Sequence, residues 1–543
     1  MAMTSRRRIG GAFIAAVLAT TGARPLAQNS SQFRDWNASV LADGAQAKPR
    51  AACATLVAMT GYEFSVITAA PVAATNDAPE YCRVTGQIQP EIRFEVSLPA
   101  AWNGRLYVFG NGGYAGEALD APGRVASARR ALARGFAVAQ MNTGHDAAVE
   151  PLGTFAANSQ KFLDYAYRGM HVTVLTAKKI LQSYFDGSLR HSYFDGCSTG
   201  GRQALISAQR FPEDFDGVVA GAPVLNFSGT MIDYASNQRA LAAAPIAPEK
   251  LKIIADAVYK KCDAIDGASD GLIDDPRQCP FRPSADLPRC TGDADGPSCF
   301  TAAQVKTLET IYGGVQRNGA ELFPGWPVGA EIGAPGPGAP GGGASGWMPW
   351  FVGAPNLRPI QINFGETFFK YMAFGKPNPS YDWLTFSVDA DLDKIQWARN
   401  ILDATDPDLS RFKARGGKIV GYFGWADPAL NPMMGVNYYE SVLRTVGPST
   451  TDFYRLFMVP GMFHCGGGIG TSTFDALTPL IEWVEKGTAP KSIAASRLVD
   501  GKAVRTRPLC PYPEVAKYKG SGSIDEAANF SCGAPARVPS SRP

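Results

Sequence analysis

Tyr193-Phe-Asp-Gly-Cys-Ser-Thr-Gly-Gly201 joins a short apolar run to a stretch, Arg202 to Arg210, that continues with helical spacing. Within it, Gly196-x-Ser198-x-Gly200 has the form of a sharp strand-to-helix elbow, which lifts a serine hydroxyl above the edge of a sheet. Glycines flank such a serine because a Cβ clashes where the chain reverses so tightly. The helix start that follows aims backbone N–H groups at negative charge developing beside the hydroxyl. A glycine-rich turn closed by a helix-capping serine has the same local sequence, so the surrounding chain has to separate the two readings.

Working outward, apolar strands alternate with helices. Arg93-Phe-Glu-Val-Ser-Leu alternates as a strand does, and Arg105-Leu-Tyr-Val-Phe ends at Gly110, Gly112 and Gly113. Phe136-Ala-Val-Ala-Gln-Met leads into Asn142-Thr-Gly-His, Tyr165 to Tyr184 is helical, and Phe215-Asp-Gly-Val-Val-Ala-Gly-Ala-Pro is a buried strand. This rhythm predicts a parallel sheet with crossover helices. It lapses from Val224 to Ser410, a stretch with four cysteines, an aspartate-rich loop, the Gly/Pro-rich run Gly333 to Gly346 and the aromatic segment Trp347 to Phe374. That length is too great for an ordinary connection and reads as an inserted lid. Lys418-Ile-Val-Gly-Tyr-Phe-Gly, Phe453-Tyr-Arg-Leu-Phe-Met-Val-Pro and a helix from about Phe474 to Lys486 resume the sheet. The expected organisation is an export signal over 1–27, a first half of the sheet domain over 28–223, a lid over 224–410 and the second half over 411–543.

A serine hydroxyl needs a base. The chain has four histidines. His171 lies inside a helix, His191 is too close to the serine to swing back onto it, and His145 precedes the serine. His464, in Pro460-Gly-Met-Phe-His-Cys-Gly-Gly, follows the last strand and completes the chain order serine, acid, histidine of the α/β-hydrolase fold. The acid is expected at Asp427, just past the strand Lys418 to Gly424, where such a sheet displays catalytic groups. Asp406, in a polar turn, and Asp452, at the wrong sheet edge, are the alternatives. An oxyanion hole needs two converging N–H donors, for which Thr199 and Gly113 are the candidates. With them the prediction is acyl transfer through Ser198, with His464 moving the proton and Asp427 steadying the imidazolium.

The rest of the composition narrows the setting. A net charge of +3 on 543 residues, without a basic block, excludes nucleic acid and an anionic membrane surface as evident partners. Arg6, Arg7 and Arg8 before an apolar stretch from Ile9 to about Thr20, with small residues around Ala27, read as an export signal, so a secreted or periplasmic protein is expected, off the membrane once the signal is removed. Ten cysteines, an even number in an exported chain, favour disulfides. Spacing suggests Cys53 with Cys82, Cys262 with Cys279, Cys290 with Cys299, and Cys510 with Cys532. Cys197 and Cys465 remain, each beside a candidate catalytic residue, and bridging them ties the elbow to the histidine loop. The sequence does not disclose an oligomeric state.

Cys197-Ser198, Asp427 and His464-Cys465 together resemble the signature of the tannase and feruloyl esterase family, and the resemblance covers most of the chain after the signal, down to the closing Arg505-Thr-Arg-Pro-Leu-Cys-Pro-Tyr-Pro. It implies an α/β-hydrolase fold with a large inserted lid, and hydrolysis of esters of aromatic acids. A further likeness, to the family's terephthalate half-ester hydrolases, implies substrate-binding roles for Trp350 and for the positions of Phe423 and Leu430, and an oxyanion role for Gly113. Phe423 and Leu430 depart from the residues found there, and only Arg358 offers a cation for a free carboxylate, so feruloyl or galloyl-type esters are the favoured small-molecule substrates, with a terephthalate half-ester as the alternative. The loop Cys262-Asp-Ala-Ile-Asp-Gly-Ala-Ser-Asp-Gly-Leu-Ile-Asp resembles the family's calcium loop, which implies a structural Ca2+ held by Asp263, Asp266 and Asp270 and by the carbonyls of Ala268 and Leu272.

Overall fold

The computed structural model describes residues 46–331 and 346–535. The predicted export signal, and the Gly/Pro-rich run apart from Gly346, lie outside the described residues.

A nine-stranded sheet runs in the order β1-β2-β3-β5-β4-β6-β7-β10-β11. Its strands are β1 (Phe64–Val72), β2 (Tyr81–Ile88), β3 (Ile92–Pro99), β4 (Arg105–Phe109), β5 (Ala137–Met141), β6 (His191–Cys197), β7 (Gly217–Gly221), β10 (Lys418–Gly424) and β11 (Tyr454–Val459). The hairpin β8 (Val315–Arg317) and β9 (Ala320–Phe323) lies in the stretch between β7 and β10. After β11 come a three-stranded sheet of β12 (Thr473–Phe474), β13 (Ile493–Val499) and β14 (Lys502–Leu509), and a hairpin of β15 (Val515–Tyr518) and β16 (Phe530–Gly533). From β5 across to β11 every neighbouring pair is parallel, as the strand–helix rhythm predicts. The first three strands instead pair antiparallel, β3 also against β5. The reason is length: Gln89, Pro90 and Glu91 alone join β2 to β3, too few residues for the crossover that a parallel pair requires.

Strand β3, which alternates in sequence, is buried on both faces from Phe94 to Pro99, because helices cover the sheet on either side. The last helix starts at Leu477 rather than Phe474. Asp475 stops it there by accepting hydrogen bonds from the N–H groups of Leu477 and Thr478, leaving Thr473 and Phe474 to pair with β13.

Strands β7 and β10 are parallel neighbours in the sheet although residues 222–417 separate them in sequence. The whole intervening stretch therefore leaves the C-terminal end of β7, above the elbow, and returns to the start of β10. Its helix Phe227–Ala243 is buried along most of its length, and Leu225 accepts a hydrogen bond from Ala404 N at 2.7 Å, closing the neck. The four cysteine pairs suggested by spacing are bridged, Cys53–Cys82, Cys262–Cys279, Cys290–Cys299 and Cys510–Cys532, and so is the remaining pair, Cys197–Cys465. Among the described residues no helix is long and apolar enough to cross a membrane.

Candidate active site

Ser198 sits between β6 and the helix Thr199–Arg210 with φ +64° and ψ −120°, a strained conformation for a residue with a Cβ. The neighbouring glycines make the turn possible. A Cβ on Gly196 falls 2.6 Å from the Gly200 backbone, and one on Gly201 falls 2.2 Å from the Gly221 carbonyl. Ser198 N donates to Gly221 O at 3.0 Å, which pins the elbow to β7. The serine side chain makes no capping hydrogen bond and is partly exposed, so the helix-cap reading of the motif is excluded.

Asp427 lies three residues beyond β10 and is 1 % exposed. Its Oδ1 accepts from Ala429 N at 2.8 Å and Leu430 N at 2.9 Å, and its Oδ2 faces His464 Nδ1 at 2.8 Å. His464 follows β11 in a loop that presses on β10, where a Cβ on Gly424 meets the Met462 carbonyl at 2.2 Å. The Cys197–Cys465 bridge, with its Cα atoms 5.9 Å apart, fixes the residues next to Ser198 and His464 together at one end of the sheet.

The rivals are placed elsewhere. His145 is 1 % exposed, stacked on Phe155 with centroids 3.9 Å apart, its Nε2 3.1 Å from Tyr114 O; burial pushes its imidazole down to about 4. His171 pairs with the buried Asp214 at 2.9 Å, and His191 lies 4.0 Å from Asp216. Asp406 accepts from Asp408 N within its own turn, and Asp452 ends the turn Pro448–Asp452 ahead of β11.

Thr199 is the first residue of its helix, where N–H groups have no partner within the helix. Gly113, at φ +50°, lies in the turn after β4, and its N–H meets no acceptor among the described residues. That turn is braced: Gly112 N donates to Glu117 Oε1 at 3.0 Å, and Glu117 is paired with Arg124 at 2.8 Å.

Trp350, in the turn Met348–Val352, stands edge-on to His464, with centroids 6.1 Å apart and planes at 74°. Its ring is parallel to that of Phe364, with centroids 6.4 Å apart and planes at 8°. Phe364 reaches Gly113, where a Cβ added to the glycine meets its ring at 3.4 Å. Nothing in the sequence marks Phe364, which is one apolar residue of the helix Ile360–Thr367. Leu430 is 5 % exposed beside Asp427, whereas Phe423 is wholly buried in β10 and packs against Gly435 of the helix Met433–Val446. Phe423 thus presents no open face to a substrate. Arg358 is committed to Glu366 at 2.5 Å, and Glu366 also holds Lys370.

In the aspartate-rich loop, Asp263 Oδ1 accepts from Asp270 N and Gly271 N, Asp266 Oδ1 from Ala268 N, and Asp270 Oδ1 from Leu272 N. Asp270 Oδ2 also contacts Arg507. Burial, with the charges of Asp270 and Asp263 adding to it, pushes the Asp266 carboxyl up to about 6. Asp274 beside them is raised well above the usual carboxylate range, by burial first and then by Asp266 and Asp270. Among the described residues no three carboxylate, imidazole or thiol side chains already stand as a metal cage.

A serine on an elbow, a histidine paired with a buried carboxylate in the order Ser–Asp–His, and a nine-stranded sheet define a serine hydrolase of the α/β-hydrolase fold. The comparisons make it a carboxylesterase. The chain belongs to the tannase and feruloyl esterase family, whose profile, "Tannase and feruloyl esterase", matches residues 75–533. It is 34% identical to the mono(2-hydroxyethyl) terephthalate hydrolase of Piscinibacter sakaiensis, over 86% of this chain and 87% of that one. It is 31% identical to feruloyl esterase B of Aspergillus niger, over 85% and 88%. The crystal structure of feruloyl esterase B from Aspergillus oryzae superposes with a TM-score of 0.75 at 28% identity, covering 89% of this chain and 99% of that one.

Proposed function

We propose that Ser198, His464 and Asp427 form a catalytic triad that hydrolyses esters of aromatic carboxylic acids, of feruloyl or galloyl type. The observation that carries this reading is the aromatic surface beside the triad and the Gly113 turn, where Trp350 stands edge-on to His464, Phe364 lies against Gly113 and the two rings are parallel to each other. Ser198 Oγ attacks the ester carbonyl as His464 Nε2 takes its proton, and Asp427 holds Nδ1–H and stabilises the imidazolium. The N–H groups of Thr199 and Gly113 receive the oxyanion. His464 then protonates the departing alcohol and activates the water that frees the acid.

A terephthalate half-ester is less well served, because Arg358 is already bound to Glu366 and a free carboxylate loses its charge-assisted partner. In a panel of methyl ferulate, methyl gallate, the terephthalate half-ester and ethyl butyrate, kcat/KM is expected to be highest for one of the first two, by roughly tenfold or more, as a missing charged contact implies. An aliphatic ester turned over fastest refutes the aromatic pocket. The five disulfides accord with the exported, oxidising location expected from the N-terminus.

The aspartate loop is proposed to hold one structural Ca2+. Its donors are hard oxygens, and the burial that raises the carboxyls of Asp266 and Asp274, with repulsion among the loop's carboxylates added, is what a divalent cation relieves. Asp263, Asp266 and Asp270, with the carbonyls of Ala268 and Leu272, would hold it, Asp270 turning from Arg507; the ion's contribution is to clamp the loop that Cys262–Cys279 closes. Metal analysis after mild dialysis is expected to find about one Ca2+ per chain, and EDTA to lower Tm by several degrees, as ligand linkage requires. An unchanged Tm together with a metal-free protein rejects the ion.

A further inference from the structure

Gly113 is held from its carbonyl side. Its oxygen accepts hydrogen bonds from Thr199 Oγ1 at 2.5 Å and from Tyr165 Oη at 3.0 Å, and the two hydroxyls lie 3.5 Å apart. A carbonyl in a turn is satisfied by one donor. Here two buried hydroxyls converge on a residue whose backbone, lacking a Cβ and lying at φ +50°, has little of its own to hold it in place.

Both hydroxyls are themselves anchored to the nucleophile's helix. Thr199 is its first residue. Tyr165 belongs to the π-helical turn Asp164–Arg168, a kind of turn frequent at functional sites. It is fixed by Arg202 of the serine helix, which donates to Ala166 O at 2.9 Å and Tyr165 O at 3.4 Å and lies 5.0 Å from the Tyr165 ring centroid. Arg202 N in turn donates to Ser198 O at 3.0 Å. The residue after the serine and the residue four places after it thus both act on Gly113.

We infer that Thr199 and Tyr165 are positioning residues: through the Gly113 carbonyl they set the direction of the Gly113 N–H and lock the oxyanion hole to the helix that carries Ser198. This rests on the reading of Ser198 as nucleophile and Gly113 as oxyanion donor. A hydrogen bond weakens steeply as its angle falls away from linear, and the oxyanion exists only from the transition state onward. Loosening Gly113 therefore lowers kcat and leaves KM almost unchanged.

The test compares Thr199→Val, Thr199→Ser, Tyr165→Phe and the Val/Phe double variant, using methyl ferulate hydrolysis and inhibition by an aryl boronic acid, whose tetrahedral adduct occupies the oxyanion hole. T199V is expected to lose roughly tenfold in kcat and the double variant roughly a hundredfold, the order of one oxyanion donor, with KM within about twofold and boronate affinity falling in parallel. T199S regains most of the loss, and the pH profile keeps its shape because the His464–Asp427 pair is untouched. A folded double variant with kcat and boronate affinity within about twofold of wild type overturns the inference, as does T199S losing as much as T199V, a comparison that stands even if the double variant does not fold. An aryl phosphonofluoridate on the wild type separates the two levels: adduct on Ser198 with indifferent variants defeats only the positioning role, whereas no adduct on Ser198 defeats the reading beneath it.

Discussion

Ser198→Ala is expected to lower kcat on methyl ferulate by at least about 10⁴-fold while leaving the fold intact, since removing a triad nucleophile leaves only the catalysis of binding and the oxyanion hole. The separation of activity from stability follows from the local structure. The serine side chain is partly exposed and caps nothing, and the strain at φ +64° belongs to any residue with a Cβ. The elbow is held instead by Ser198 N on Gly221 O and by the Cys197–Cys465 bridge, which alanine keeps. Thermal unfolding is therefore expected to shift by no more than a degree or two, in line with surface substitutions. Wild-type rates from the purified variant, or a loss of rate matched by a collapse of Tm, refute the nucleophile assignment.

Asp427→Asn has the second largest expected effect, about 10³- to 10⁴-fold in kcat, and its cause is a tautomer. Asp427 Oδ1 is occupied by the N–H groups of Ala429 and Leu430. Asparagine must keep its oxygen there, because turning the amide puts an NH2 against two N–H donors. Its NH2 group then faces His464 Nδ1, which becomes an acceptor, and the ring proton moves to Nε2, where it blocks uptake of the serine proton. The variant is expected to fold, to bind substrate with KM near wild type and to regain rate at high pH, where hydroxide takes over the proton. A D427N enzyme within about tenfold of wild type at neutral pH shows that another acid orients His464.

Much of this site is legible along the chain because each catalytic group sits in a local pattern of its own. The elbow at Ser198 is short-range steric chemistry, since glycine is required where the backbone closes on itself. Asp427 and His464 follow strands that apolar runs announce, and the cysteine spacings leave Cys197 and Cys465 to each other. Where the sequence misleads, the cause lies across the fold. Alternation in β3 marks a strand but not that both its faces are covered, and the helix after β12 begins where Asp475 caps it. Phe423 aligns with a substrate position, yet packing against Gly435 keeps it in the core.

Sequence alone thus pointed to the fold class, the family likeness, the serine, acid and histidine candidates and the cysteine pairing that the structure bears out, because these depend on backbone geometry and chain order. Tertiary structure decided how the site is framed. Phe364 joins the site only when its ring lies parallel to that of Trp350 and against Gly113, and Tyr165 reaches Gly113 only through Arg202 and a π-helical turn. These contacts join residues far apart in the chain, and no spacing or periodicity records them. The Trp350 and Phe364 contacts form when the stretch between β7 and β10 folds back over the sheet, whereas Gly113, Tyr165 and Arg202 meet where the segments after β4, β5 and β6 converge.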